Sequence, residues 1–143
     1  MYRFFTKRIT HYNTCSFSKI QKTEGKHAGR WVLPGGTNLE NETAYQGLQR
    51  ELIEELGHLP DFQKVIPLEK FVSNDLVFNF NTYFCIVDSE FCIELSDEHS
   101  GWGWFNINRL PKPTHQGLES SLKNKNTQLK IQTIIEILRE QLI

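Results

Sequence analysis

The sequence predicts an α/β fold, with a mixed β-sheet packed between helices and a single domain spanning residues 1–143. Three observations lead there. The length of 143 residues is enough to bury one core and too short for two ordinary ones. The segments run in the order strands, helix, strands, helix. Two stretches carry apolar residues every three to four positions, while the segments between them are rich in aromatic and β-branched residues and tend to alternate.

Taken in order, Tyr2 to Ile9 reads as a strand, followed by a polar turn at His11-Tyr12-Asn13. Cys15 to Ile20 alternates and reads as its hairpin partner. Thr23 to Gly29 is a polar loop, and Arg30 to Leu33 a short strand stopped by Pro34-Gly35-Gly36. A helix follows, with Asn41 or Thr43 as its cap and Glu42 near the positive end of the dipole. Tyr45, Leu48, Leu52 and Leu56 form its apolar stripe, and Gly57 stands where a glycine cap ends a helix. Val65 to Val72 and Leu76 to Val87 read as strands. In the second, Phe78, Phe80 and Phe84 share one face and Val77, Asn79, Asn81 and Tyr83 the other. Gly101 to Ile107 is a further strand. From Thr127 onward, Leu129, Ile131, Ile134, Ile135, Ile137, Leu138 and Leu142 predict a helix with a broad apolar face.

Composition narrows the function classes. Apolar residues make up 38% and charged residues 23%, so the chain is expected to fold. The net charge of −1 gives no general attraction to a polyanion, and no basic run marks a duplex-binding face. Lys123, Lys125 and Lys130 are diluted by Asn and Gln and read as a solvated face. The three cysteines, Cys15, Cys85 and Cys92, fit no zinc or CxxC pattern. Cys15 and Cys85 fall in apolar strands and read as small hydrophobes. No signal peptide or membrane segment is evident, and a soluble cytoplasmic protein is expected.

The chemistry lies on the second face of the first helix. Glu51, Glu54 and Glu55 stand at i, i+3 and i+4, which sets three carboxylates side by side. Arg50 is one neighbouring positive charge, too little to neutralise three. A divalent cation would do more, and Mg²⁺ prefers oxygen ligands, waters and phosphates. The preceding Gly35 and Gly36 lack side chains, so the backbone there can approach a ligand and turn a carbonyl toward a metal. A loop entering a helix start is also favourable for phosphate. Against this stands the plain alternative that Glu-rich exposed helix faces are common.

The full spacing weighs against that alternative. Gly36, five residues, Glu42, seven residues, then Arg50-Glu51-Leu52-Ile53-Glu54-Glu55-Leu56-Gly57 resembles the Nudix box, and Trp31-Val32-Leu33-Pro34-Gly35 is similar to the usual lead-in. Every fixed polar and glycine position matches; His58 replaces the usual final aliphatic, a departure that bears on packing. Asp97-Glu98-His99, followed by Trp104-Phe105 and Leu110-Pro111, resembles the late loop and strand of MutT-like members.

The resemblance implies an α/β/α sandwich and a Mg²⁺-dependent hydrolase, with Mn²⁺ as a substitute metal. Such an enzyme cuts a phosphoanhydride bond in a nucleoside diphosphate linked to another group. It implies Glu51, Glu54 and Glu55 as metal ligands, one of them also able to act as base, with the carbonyl of Gly35 as a backbone ligand. Arg50 would orient the carboxylates. Glu42 would secure the loop or join through a water, and Gly36 would lie on the substrate side. Glu98 is either a base on the late loop or a surface acid in a polar turn. Trp102 either stacks on a nucleobase or packs in the core; Trp31 reads as core or pocket wall; His115 reads as a turn cap. The substrate is a small-molecule nucleotide. The small size and MutT-like entry favour a (d)NTP. ADP-ribose, a nucleotide sugar and a dinucleoside polyphosphate are the alternatives, on a monomer or homodimer. Two further readings are a catalytically inactive nucleotide-binding module and glycosyl hydrolysis of a GDP-sugar; the intact box disfavours both.

Overall fold

The computed structural model describes residues 2–7, 16–22, 25, 28–72, 74–76, 79–88 and 90–140. Among the described residues, six strands and three helices follow one another as β1 (Tyr2–Lys7), β2 (Ser16–Lys22), β3 (Trp31–Val32), α1 (Ala44–Leu56), β4 (Phe62–Val72), β5 (Asn79–Val87), β6 (His99–Asn106), α2 (Gln116–Lys123) and α3 (Lys125–Glu140). The strands form two three-stranded sheets, ordered β1-β5-β4 and β3-β2-β6. The first is mixed, since β1 runs parallel to β5 and β4 antiparallel to it.

Strand β5 is the centre of the core. Successive side chains of a strand point to opposite faces, and here both faces are covered. Tyr83 and Cys85 meet Leu48, Leu52 and Leu56 of α1, together with Ile93. Phe84 and Ile86 meet Leu68 of β4, Leu118 of α2 and Ile131 of α3. This is the predicted mixed sheet between helices. Cys85 is fully buried and packs as a small hydrophobe, its thiol pKa pushed up by burial. Cys92 is exposed.

Helix α1 forms where its local signals place it. Of the two candidate caps, Thr43 is used: its Oγ accepts from the Gln46 N–H at 3.2 Å, and the Gln46 side chain accepts from the Thr43 N–H at 3.0 Å. This reciprocal pair is worth about 1 kcal/mol. Asn41 instead takes a left-handed turn, with φ 68°, a conformation Asn tolerates. Gly57 ends the helix at φ 80°, its N–H bonded to the Ile53 carbonyl.

Several expectations are corrected. β2 is not the hairpin partner of β1: β1 pairs with β5, and β2 with β3 and β6. Alternation marks a strand, but its partner is set by the whole core. Tyr45 is 41% exposed, so the buried stripe of α1 begins at Leu48. Helix α2 was not anticipated; Leu118 and Ser121, three residues apart, are its buried positions. Helix α3 begins at Lys125, before Thr127, and its Leu129 and Ile137 face outward. The turn at His11-Tyr12-Asn13, Cys15, Val77, Phe78 and Leu142 lie outside the described residues. Among the described residues, no helix is long and apolar enough to cross a membrane.

The contrast between the two helices is measurable. Leu52→Ala, at a site with no exposure, should cost about 2–5 kcal/mol of unfolding free energy. Leu129→Ala should stay within about 0.5 kcal/mol. Denaturant unfolding of both variants checks this, and equal losses would contradict the observed facing of α3.

Candidate functional site

The site is built where β3 gives way to the loop that enters α1. Two backbone positions bring this loop onto the helix. The Gly35 N–H donates to Glu55 Oε2 at 2.8 Å. At Gly36 the Glu51 carboxylate lies so close that an added Cβ would fall 2.1 Å from its carboxyl carbon. A side chain at position 36 would therefore occupy the place of that carboxylate, which explains the glycine there in physical terms.

Arg50 ties the loop to the carboxylates. Its Nε donates to Glu42 Oε1 at 2.6 Å and its Nη2 to Glu42 Oε2 at 3.2 Å, a two-point pairing. Nη2 also donates to the Thr37 carbonyl at 2.8 Å. Nη1 donates to Glu51 at 2.9 Å and reaches both oxygens of Glu54 at 3.3 Å. Glu42 in turn accepts from the Leu39 N–H at 2.9 Å. Glu42 thus fastens the loop, and Arg50 joins it to two helix carboxylates.

The electrostatics follow from this arrangement. The Arg50 hydrogen bonds, helped by the Leu39 N–H, hold the Glu42 carboxyl below its ordinary pKa. Glu42 first, and then Glu51 and Glu54, hold the Arg50 guanidinium firmly charged. Burial pushes the Glu51 carboxyl above its usual value; Arg50 opposes this, and the charges of Glu54 and Glu98 add to it. One guanidinium is shared by three carboxylates, so negative charge remains in excess around it.

Glu98 joins from outside the loop and helix. It lies in the loop before β6, near enough for its charge to add slightly to the upward push on the Glu51 carboxyl. Ligand atoms of Glu55, Glu98 and His99 lie within 4.8 Å of one another. The structure therefore brings together Gly35, Gly36, Glu42, Arg50, Glu51, Glu54, Glu55 and Glu98. Glu55 is buried, whereas the Glu54 side chain is 58% exposed.

The aromatic candidates divide. Trp102 is half-buried and packs against the α1 side of the core. Trp31 sits edge-on to Phe105 at 5.2 Å. His115 is the N-cap of α2, its Nδ1 accepting from the Gly117 N–H at 3.0 Å. His58 keeps a packing contact, edge-on to Phe91 at 5.3 Å.

His99 was not singled out from the sequence. Its ring is buried beside Glu55, with Nε2 3.8 Å from Glu55 Oε1. Its adjacency to Glu98 was the one signal available.

A three-layer α/β/α protein, with a glycine loop clamped onto a carboxylate-bearing helix, is the class that fold and site define. The NUDIX domain family model matches residues 18–124, and the chain belongs to that family. With its box carboxylates intact, it is a Nudix pyrophosphohydrolase. Among curated proteins none matches the chain significantly. Several solved structures share the fold. A Nudix hydrolase from M. smegmatis, RenU, aligns with TM-score 0.72 and 16% identity over 93% of this chain and 84% of that one. The NUDIX domain of Shewanella oneidensis NrtR, solved with ADP ribose, gives 0.60 and 18% over 99% and 86%. A MutT/nudix family protein from Enterococcus faecalis gives 0.63 and 21% over 73% of this chain; the match spans 42% of that protein.

The close approach at Gly36 yields a test. Gly36→Ala should displace the Glu51 carboxylate and lower turnover by about 10²-fold, the scale of a misplaced catalytic group. The circular dichroism spectrum should be unchanged, since the helix cap at Thr43 is untouched. Wild-type turnover in this variant would show that the Glu51 position is unimportant.

Proposed function

We propose that the protein is a Mg²⁺-dependent pyrophosphohydrolase of (d)NTPs. The observation that carries this reading is the gathering of Glu51 and Glu55 against the Gly35-Gly36 loop, with Glu54 beside them on Arg50 and Glu98 within 4.8 Å of Glu55. The donor set fits the ion. The carboxylates offer hard oxygens, their negative charge exceeds what Arg50 supplies, and Mg²⁺ prefers such ligands while retaining waters and phosphate oxygens. Mn²⁺ would substitute.

Glu51, Glu54 and Glu55 would hold the metal, with the Gly35 carbonyl as a backbone ligand. When bound, the metal supplies charge neutralisation on the diphosphate and a lowered pKa for water. The remaining work falls to the chain. Arg50 fixes Glu51 and Glu54 in place, and Glu42 keeps the loop closed on the helix. Gly36, whose missing side chain makes room for the Glu51 carboxylate, would lie on the substrate side of the loop. Glu98 accepts a proton from the attacking water, whose oxygen forms the new bond to phosphorus as the anhydride P–O bond breaks. The products are a nucleoside monophosphate and pyrophosphate. Trp102 would line the nucleotide side of the site, its inner part anchored in the core.

ADP-ribose is the second reading, favoured by one observation: the NrtR domain, which aligns over nearly the whole of this chain, was solved with that ligand.

Glu54→Gln and Glu55→Gln should each lower turnover by orders of magnitude with the fold retained, because each removes charge from the metal site. Glu98→Gln should lower turnover about 10²–10⁴-fold if it serves as base. A panel of (d)NTPs, ADP-ribose, nucleotide sugars and dinucleoside polyphosphates with Mg²⁺, products separated by chromatography, tests the substrate. Mononucleotide release from (d)NTPs is expected. Release from ADP-ribose alone would select the second reading, and full activity in both Glu54→Gln and Glu55→Gln would end the metal assignment.

A further inference from the structure

We infer that His99 is a positioning residue for the hydrolysis, setting the Glu55 carboxylate from inside the fold. The inference rests on Glu55 being a metal ligand, as proposed above.

Two features support it. The first is how Glu55 is held. One oxygen, Oε2, accepts from the Gly35 N–H at 2.8 Å, and the other, Oε1, faces His99 Nε2 at 3.8 Å. The side chains are 7% and 1% exposed, so the pair lies away from bulk water. On its other edge the His99 ring is tied through Nδ1 to Ser96 Oγ at 2.9 Å. In the tautomer whose Nδ1 accepts from the Ser96 hydroxyl, the ring proton lies on Nε2, directed at Glu55. At 3.8 Å this is a contact poised to shorten, as catalytic hydrogen bonds often do when ligand arrives. A carboxylate flanked on both oxygens has little freedom to rotate, and such outer partners govern metal sites strongly.

The second feature is the backbone device that aims the ring. Along β6, Gly101 pairs with Gln21 and His99 with Lys22, so the register shifts there and Ser100 is left over. A bulge of this kind re-aims a side chain and is common beside active sites. Without it, His99 would share the face of Gly101 and Phe105. Those two lie against Trp31, whereas His99 turns to Glu55 on α1. A histidine serving only as core filler would not need this departure from alternation.

The test uses the full chain freed of metal, titrated with Mn²⁺ by calorimetry, with thermal unfolding measured alongside. His99→Leu keeps bulk and removes the nitrogens; it should weaken Mn²⁺ binding about 10–100-fold. His99→Gln offers an N–H near the Nε2 position and should restore most of the affinity, although a purely structural role predicts no such rescue. Ser96→Ala leaves the ring and removes its tether, and it keeps the question answerable if leucine disturbs folding. It should weaken Mn²⁺ binding by a smaller factor, about threefold or more. Wild-type affinity in Ser96→Ala together with either wild-type affinity in His99→Leu or no rescue by His99→Gln would overturn the inference. Glu55→Gln, run beside them, locates a failure. If it binds Mn²⁺ normally, the ligand assignment beneath the inference is wrong; if it loses binding while both His99→Leu and Ser96→Ala bind normally, only the role of His99 fails.

Discussion

The guanidinium of Arg50 connects parts of the chain that would otherwise separate. It binds Glu42 at two points, the Thr37 carbonyl, and the carboxylates of Glu51 and Glu54. Without it, the helix face would carry like charges at i, i+3 and i+4, an unfavourable arrangement in an isolated helix. Its planar fork suits this work, because five donors in fixed directions can serve several acceptors at once. A lysine at the same position would bring the charge without those directions. The loop from Gly35 to Thr43 therefore owes its shape to a side chain on the helix it precedes, as much as to its own glycines.

That arrangement depends on α1 being immobile, and β5 provides the reason. Tyr83 and Cys85 press on Leu48, Leu52 and Leu56, while Phe84 and Ile86 bind the strand to α2 and α3 behind it. The same helix thus offers one face to the core and carries the carboxylate cluster beside it. The 3.6-residue period makes both possible in one stretch: leucines at 48, 52 and 56 interleave with glutamates at 51, 54 and 55.

Legibility from sequence followed the range of the interactions. Thr43, Gly57, the leucine stripe and the carboxylate spacing are all encoded within a few residues of one another, and each was readable. The joining of Glu98 to the box carboxylates could be expected only through family resemblance, because 42 or more residues lie between them. Strand partnership was not readable. β1 and β2 both read as strands and as neighbours, yet β1 finds its partner in β5, whose two apolar faces make it the natural centre of a sheet. Helix α2 was hidden by Gly117 near its start and by the few apolar residues in its eight. His99 was hidden by the bulge at Ser100, since alternation counted through β6 assigns it to the wrong face.

The three box carboxylates are not equivalent, and their differences suit a site that must both wait and respond. Glu51 is pressed against Gly36 and bonded to Arg50, and Glu55 is buried and held by the Gly35 N–H. Both are held by contacts within the chain itself, so much of the entropy of fixing them is lost in folding. Glu54, mostly exposed and touching Arg50 only at 3.3 Å, keeps more freedom. In the proposed metal site, a rigid pair with one adaptable arm would suit an ion whose remaining ligands are waters and phosphates, whereas three fixed carboxylates would demand one geometry throughout. The spacing i, i+3, i+4 produces this division directly. Glu51 and Glu55 are one turn apart and face the loop, while Glu54 is turned by about 100° from Glu55 toward solvent.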